Sequence, residues 1–161
     1  MYEPLVRTSC TNLYQSDPQA LISWEYGWNE VMPSAEPLPY DLLGGDAVLE
    51  PLLRDFYFNR LSMSSIAHLF PPDREETFLK QLAFQRMYWG GPDTYTPWRG
   101  HPRMRARHLP FPIGQAEADT WMSLMGEAVA ASTMPVAVQS NFLARLRQIA
   151  QAMINQPTVI G

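Results

Sequence analysis

Hydrophobic residues recur at helical spacing along most of the chain, and no segment shows the period-two alternation of a half-buried strand. In the clearest run the apolar side chains fall on one helix face: Val48, Leu49, Leu52, Leu53, Phe56 and Tyr57. Gly44 and Gly45 precede this run and allow a tight turn into the helix. The pattern predicts an all-α fold.

Further helices are marked by their end signals. Pro71-Pro72-Asp73, followed by Glu75 and Glu76, is typical of a helix N-terminus, because proline fits the first turn and acidic groups favour the positive end of the dipole. That helix is expected to run to about Trp89 and to stop at Gly90-Gly91-Pro92. Later helices are expected over 115–131 and 135–155. Residues 90–114 carry five prolines and four glycines, which predicts loop with at most one short helix.

Residues 1–40 form a separate N-terminal extension in this interpretation, and residues 41–161 form one helical domain. A short helix is expected over 19–32, with Ser16 or Asp17 as its cap, followed by the proline-rich connector 33–39. Trp24 and Trp28 would share a face of that helix. They either pack on the main core, which we favour, or lie in a homodimer contact.

Composition narrows the function classes. With 46% hydrophobic and 17% charged residues, the chain has the composition of an ordinary soluble globular protein. A net charge of −4 gives no general attraction to nucleic acid or anionic lipid. No apolar run approaches the roughly 20 residues of a membrane span, and the first residues lack a secretory pattern. Cys10, the single cysteine, excludes an internal disulfide and a covalent CxxCH haem attachment, so a reducing cytoplasm is expected.

Several polar residues interrupt the helical pattern. Thr77, Gln81, Gln85 and Tyr88 follow one another at steps of three and four and make a polar strip on the helix of residues 74–89. Taken alone, such a strip is more often a solvated face than the wall of a cavity. Hydrogen-bond donors also stand within apolar runs, at Tyr57 and Trp121, where buried tips need partners.

A basic cluster ends in a histidine. Arg99, Arg103, Arg105 and Arg107 are four of the chain's 12 basic residues, and guanidinium groups pair well with carboxylates or phosphates. The alternative is a solvated basic loop. His108 follows at the end of a short helix, because Pro110 forces extended backbone before it. Alone, this histidine would more often bond a backbone carbonyl than bind haem iron. His68 is expected at a surface corner and His101 in a turn.

These features form one ordered string of motifs. It consists of Tyr88-Trp-Gly-Gly-Pro-Asp-Thr-Tyr95, then Arg99-Gly-His-Pro-Arg-Met-Arg-Ala-Arg-His-Leu-Pro-Phe-Pro-Ile-Gly114, then Glu117-Ala-Asp-Thr-Trp-Met122. Gly44-Gly45 and Asp55-Phe-Tyr57 lie upstream, and Met153-Ile-Asn-Gln-Pro157 lies downstream. Together they closely resemble the second group of bacterial truncated haemoglobins over about residues 41–157. Residues 1–40 have no counterpart in the short members of that family.

The resemblance implies a two-over-two helical sandwich around non-covalent haem b, with a mostly loop proximal segment. His108 matches the iron ligand, and four residues match the ligand-stabilising distal positions: Tyr57, Thr77, Gln81 and Trp121. Apolar porphyrin contacts match Phe70, Phe78, Phe84, Met104, Phe111, Ile113 and Met125, together with Trp121. Phe70 takes a position where other members have tyrosine. Arg107 and Tyr95 match propionate partners best, with Arg99 as a further candidate.

The function implied is the binding of O₂, NO, CO or other small ligands, with tight oxygen retention. Nitric-oxide detoxification or another redox activity would need a separate reductase, so the resemblance leaves open whether the protein is an enzyme. The alternative is an oxygen store or carrier, or a gas sensor that signals through residues 1–40. A helical interaction module with a lapsed haem pocket is a third interpretation, against which the set Tyr57, Gln81, His108 and Trp121 argues.

Overall fold

The computed structural model describes residues 39–157, and all the regular secondary structure in this range is helical, as the sequence predicted. Its α-helices are α1 (Pro39–Leu43), α2 (Asp46–Arg54), α3 (Arg74–Tyr88), α4 (Tyr95–Arg99), α5 (Met104–His108), α6 (Gln115–Ala131) and α7 (Val136–Met153). A π-helical turn, Asp55–Arg60, continues α2, and the 3-10 turns Leu61–Met63 and Ala67–Leu69 lead on toward α3. The helix expected over 19–32, the packing of Trp24 and Trp28, and most of the connector lie outside the described residues.

The turn into α2 depends on two glycines. Gly44 and Gly45 adopt φ values of 99° and 61°, in the region that L side chains rarely occupy. A Cβ on Gly44 would also lie 2.4 Å from Cγ2 of Val48. The helix that follows buries the whole apolar face predicted from the sequence, including Tyr57 in the π-turn.

The ends of α3 agree with the sequence signals. Asp73 caps the helix, because its Oδ1 accepts a hydrogen bond from the backbone nitrogen of Glu75 at 3.0 Å. At the other end Gly90 takes φ 80°, and the backbone nitrogen of Gly91 donates to the carbonyl of Arg86 at 2.8 Å. The helix therefore ends where the two glycines begin.

Residues 90–114 contain two short helices, α4 and α5, of five residues each, where at most one was predicted. Pro97 is tolerated in α4 because a first-turn residue needs no intrahelical N–H partner. Asp93 supports the same turn, since its Oδ1 accepts from the nitrogens of Tyr95 and Thr96 at 3.1 and 2.8 Å. The prolines therefore shorten these helices without abolishing them.

Two long helix pairs build the core. α2 and its π-turn pack against α3, α6 packs against α7, and α6 also contacts α2 and the π-turn. The short helices complete the fold, with α4 against α3 and α5 against α7. No helix in the described range is long and apolar enough to cross a membrane.

Candidate functional site

A cavity of about 450 Å³ lies between the α3 side of the molecule and the α5–α7 side. Its wall is mostly apolar, and its volume falls in the range of pockets that hold mid-sized organic ligands. The π-turn contributes Tyr57, while α3, α5 and α6 contribute most of the polar side chains. The segment after α5 closes one side with Phe111 and Ile113, and α7 adds an apolar floor.

Most of the residues singled out from the sequence meet at this cavity. Those that line it are Tyr57, Phe70, Thr77, Gln81, Phe84, Tyr95, Arg99, Met104, Arg107, His108, Phe111, Ile113 and Trp121. They come from every described part of the chain between the π-turn and α6. Residues spread along the sequence from Tyr57 to Trp121 thus enclose one space.

Phe78 and Met125, expected as porphyrin contacts, do not line the cavity. Phe78 follows Thr77 by one residue, which turns its side chain about 100° around the helix. Its ring lies 5.9 Å from that of Phe58 and 4.3 Å from the guanidinium carbon of Arg54. Met125 is fully buried in the hydrophobic core. Both residues therefore belong to the hydrophobic core in this structure.

One ring nitrogen of His108 faces a backbone carbonyl. Its Nδ1 lies 2.6 Å from the carbonyl oxygen of Met104, one turn earlier in α5. A carbonyl can only accept, so Nδ1 is the donor, and in the neutral form of the ring the lone pair is on Nε2. The bond to a backbone carbonyl and the metal-binding role, which looked like alternatives in the sequence, are compatible. Such a bond is how iron- and zinc-ligating histidines are commonly oriented.

Tyr57 brings a protonated hydroxyl to the cavity. The side chain is 1% exposed, and burial raises the pKa of its hydroxyl well above the ordinary value. Its ring packs edge-on against Phe56 and Phe70, with centroids 4.8 and 6.2 Å away. No side chain within residues 39–157 is hydrogen-bonded to this hydroxyl, so the group remains free to donate to a ligand.

The polar strip of α3 faces the cavity rather than solvent. Thr77, Gln81 and Gln85 all line it, while Tyr88 lies further along, stacked on Phe84 at 5.6 Å. Trp121 enters from α6, where its ring tilts over Phe56 at 5.3 Å. Hydroxyl, amide and indole groups therefore share the wall with apolar carbons.

The basic cluster divides into two parts. Arg99 and Arg107 line the cavity, whereas Arg105 turns away and donates to the carbonyl of Ala152 at 2.6 Å. The Nε of Arg99 is buried with no hydrogen-bond partner, an arrangement that suits an anionic group of a bound ligand. Arg107 instead donates hydrogen bonds to two backbone carbonyls of the preceding segment, with Nε 2.8 Å from Pro102 O and Nη2 2.9 Å from Arg99 O.

Several residues that line the cavity or lie behind its wall were not predicted as site residues, and three of the polar ones are informative. Lys80 lines the wall and is paired with Glu76 at 2.8 Å, and Gln85 is the buried polar member of the strip. Asn155 lies behind the segment that follows His108. The spacing of Gln85 behind Gln81 was the only local signal among them, because the roles of Lys80 and Asn155 depend on tertiary contacts.

Comparison with known proteins identifies the class of this site. The family model of the bacterial-like globins matches residues 39–155. Group 2 truncated hemoglobin YjbI of Bacillus subtilis is 39% identical over 118 residues, covering 73% of this chain and 89% of the relative. The chain belongs to the bacterial-like globin family, and membership implies that it binds haem and, at the haem, oxygen.

The second group of truncated haemoglobins is the branch to which the chain is similar. The group II truncated hemoglobin of Bacillus anthracis superposes with a TM-score of 0.74 at 35% identity, covering 80% of this chain and 98% of that one. A structure described as a truncated oxygen-avid haemoglobin from Bacillus subtilis gives 0.69 at 37%, covering 74% and 100%. The two-over-two fold predicted from the sequence is therefore confirmed.

Proposed function

We propose that the cavity holds haem b without a covalent link, with Nε2 of His108 as the iron ligand. The observation that carries this proposal is that His108 lines the cavity while its Nδ1 is engaged by the carbonyl of Met104, which leaves Nε2 as the ring nitrogen for the iron. Cys10 is the single thiol and belongs to no CxxCH motif, which supports non-covalent attachment. Arg99, with its unpartnered Nε, and Arg107 and Tyr95 are the groups proposed to meet the propionates.

Haem would supply the iron that binds a diatomic gas, and the side chains around it would set the rate at which the gas dissociates. We propose that Tyr57, Gln81 and Trp121 donate hydrogen bonds to it, with Thr77 beside them. Oxygen becomes partly negative on binding and accepts such bonds, each contributing about 1.5–3 kcal/mol. Two donors would slow oxygen release by a factor of roughly 10² to 10⁴. Carbon monoxide gains less charge, so the same donors would slow its release less.

Such retention suits a protein that uses oxygen as an oxidant. We propose nitric-oxide detoxification or a related redox activity, with electrons from a separate reductase and O₂, NO and CO as ligands. The description of a relative as oxygen-avid supports tight retention in this branch. Oxygen storage or gas sensing would instead need release within seconds. A lapsed haem pocket is disfavoured by the open cavity and its protonated, buried Tyr57.

The first test is the absorption spectrum of the purified protein after haem addition. Wild type should show a Soret band with a single-histidine signature, and His108→Ala should lose that signature. Oxygen dissociation would then be measured in Tyr57→Phe and Trp121→Phe. Tyr40→Phe and the exposed Trp98→Phe, which lie outside the cavity wall, are the matched controls. Unchanged release in both distal variants would refute tight retention by these donors.

The cellular setting is also a proposal. A single cysteine favours the reducing cytoplasm, where a reductase can supply electrons. A homodimer through Trp24 and Trp28 is the alternative to packing of these residues on the globin core. Sedimentation and melting of a chain that begins at Tyr40 distinguish the two, because loss of the dimer alone points to the subunit contact.

A further inference from the structure

The helix that carries His108 is too short to hold its own position. α5 has five residues and is bounded by Pro102 on one side and by Pro110 and Pro112 on the other. A single helical turn of this length gains too little to offset its nucleation cost. Tertiary contacts must therefore hold the histidine against the cavity.

Those contacts come from the end of α7. The Nδ2 of Asn155 donates to the carbonyl of His108 at 3.1 Å and to the carbonyl of Phe111 at 2.8 Å. Its Oδ1 accepts from the nitrogen of Ile113 at 3.1 Å, and its own nitrogen donates to the carbonyl of Ile113 at 2.9 Å. One side chain thus bridges the backbone from His108 to Ile113. We call residues 109–113 the apolar strap.

Both the NH₂ group and the oxygen of the Asn155 amide are hydrogen-bonded to this backbone. Two carbonyls require a donor and one N–H requires an acceptor, and only a primary amide supplies both from one short side chain. On the other side of His108, Arg105 donates to the carbonyls of Ala152 and Ile154 at 2.6 and 3.3 Å. The end of α7 and the two residues that follow it therefore hold α5 and the segment after it, across more than 40 positions of sequence.

We propose that Asn155 is a positioning residue for His108, which sets the orientation of the imidazole toward the haem iron and the retention of the haem. This inference rests on the proposed function, because it needs His108 as the ligand. Asn155 does not line the cavity, so its effect passes through the backbone of residues 108–113. Loss of the two donated bonds would let the strap and the histidine shift together.

Asn155→Asp is the sharpest variant, because it keeps the shape and the acceptor for Ile113 but replaces two donors by a charge facing two carbonyls. Asn155→Ala serves as a second variant should the aspartate variant fold poorly, and Gln151→Ala is the control at an exposed side chain one turn earlier. In the ferrous haem-loaded proteins, resonance Raman should show a shifted or broadened iron–histidine stretch. Transfer of haem to an acceptor protein should become about tenfold faster.

A second background separates positioning from general stability. In His108→Gly supplied with imidazole, the ligand is no longer tied to the backbone, so Asn155→Asp should leave the iron–imidazole stretch unchanged. An unaltered stretch and unaltered haem loss in both Asn155 variants would overturn the inference, as would an equal shift in the imidazole background. A wild-type protein without any iron–histidine stretch would instead overturn the proposed function itself.

Discussion

The indole Nε1 of Trp89 donates a hydrogen bond to Oε1 of Gln85 at 2.6 Å, and both side chains are buried. The Trp89 ring stacks on Phe142 of α7 at 5.1 Å, while Gln85 lines the cavity. Because Oε1 of Gln85 accepts the hydrogen bond from the indole, the amide of Gln85 is held in one orientation, with its NH₂ group turned away from Trp89. One buried polar pair thus connects the cavity wall to the core of the second helix pair.

Removal of this donor should be costly, because Oε1 of Gln85 would be left buried without a partner. We expect Trp89→Phe, which keeps an aromatic ring against Phe142, to lower the free energy of unfolding by about 1–3 kcal/mol. Denaturant unfolding of the haem-loaded protein measures the change. A double-mutant cycle with Gln85→Leu should give a coupling of about 0.5–3 kcal/mol. Purely additive effects would show that the bond contributes nothing beyond packing.

The π-turn that carries Tyr57 is spanned by an ion pair. Arg60 Nε lies 2.6 Å from Asp55 Oδ2, five positions away, which is the hydrogen-bonding step of a π-helix. Arg60 also reaches Glu127 of α6 at 2.9 Å. Burial would raise the pKa of Asp55, but hydrogen bonds from Asn59 and Arg60 lower it below the ordinary value.

Loss of that pair should affect the ligand more than stability. We expect Arg60→Gln to reduce the free energy of unfolding by less than about 1 kcal/mol, because both groups are partly solvated. Oxygen dissociation should accelerate a few-fold as the register of Tyr57 relaxes. Glu50→Gln, which removes an exposed pair with Arg54 in the preceding helix, is the control. Equal oxygen dissociation rates in wild type and Arg60→Gln would show that the ion pair does not control the position of Tyr57.

Gly91 is required by an aromatic neighbour rather than by its own backbone. A Cβ at this position would lie 2.6 Å from Cδ2 and 2.7 Å from Cγ of Tyr40. Tyr40 cannot retreat easily, since its nitrogen donates to the carbonyl of Trp89 at 2.8 Å and its hydroxyl accepts from the nitrogen of Asp46 at 3.2 Å. The ring therefore lies flat across the glycine.

We expect Gly91→Ala to destabilise the fold by about 1–3 kcal/mol through overpacking. Gly126→Ala is the opposite case, because a Cβ there meets no atom within 4 Å and α6 should gain helix propensity of roughly 0.5–1 kcal/mol. Thermal melting of the two variants should shift in opposite directions. A melting temperature of Gly91→Ala at or above that of wild type would contradict the close approach of Tyr40.

Features set by neighbours in sequence were the predictable ones. The apolar face from Val48 to Tyr57, the start of α3 next to Asp73 and the glycine stop after α3 are local signals, and the structure confirms each. The π-turn left no signal, because six residues are too few to distinguish one helical period from another. Its effect on Tyr57 is visible only in the structure.

The site residues also differ in whether a local sequence signal predicts them. His108 was identified through a motif, but its partner Asn155 lies 47 positions away, and no local pattern predicts that contact. Phe78 shows what the motif leaves undetermined. Its neighbour Thr77 lines the cavity, and a difference of one position on a helix is enough to turn a side chain into the core. The motif indicates which helix carries a site residue, and the structure shows which face of the helix the residue occupies.

The ion pair between Asp46 and Arg86 should make stability depend on pH in the acid range. Two bonds join the carboxylate and the guanidinium, Nε–Oδ1 at 2.8 Å and Nη2–Oδ2 at 2.7 Å. The hydrogen bond from Arg86 is the main reason that the pKa of Asp46 lies below its ordinary value of 3.8. A depressed folded-state pKa means that the contribution is complete above that ordinary value and is lost as the pH falls through the folded-state pKa.

We therefore expect Asp46→Asn to lower the free energy of unfolding by about 0.5–1 kcal/mol at pH 7, a value limited by the solvent exposure of the carboxylate. The difference from wild type should shrink steadily below about pH 4, because protonation then removes the same charge from Asp46. Glu76→Gln, which breaks the more exposed pair with Lys80, should have little effect at either pH. Urea unfolding at a series of pH values checks both variants. A difference between Asp46→Asn and wild type that stayed constant from pH 7 to pH 3 would show that the side chain contributes through shape and not through its charge.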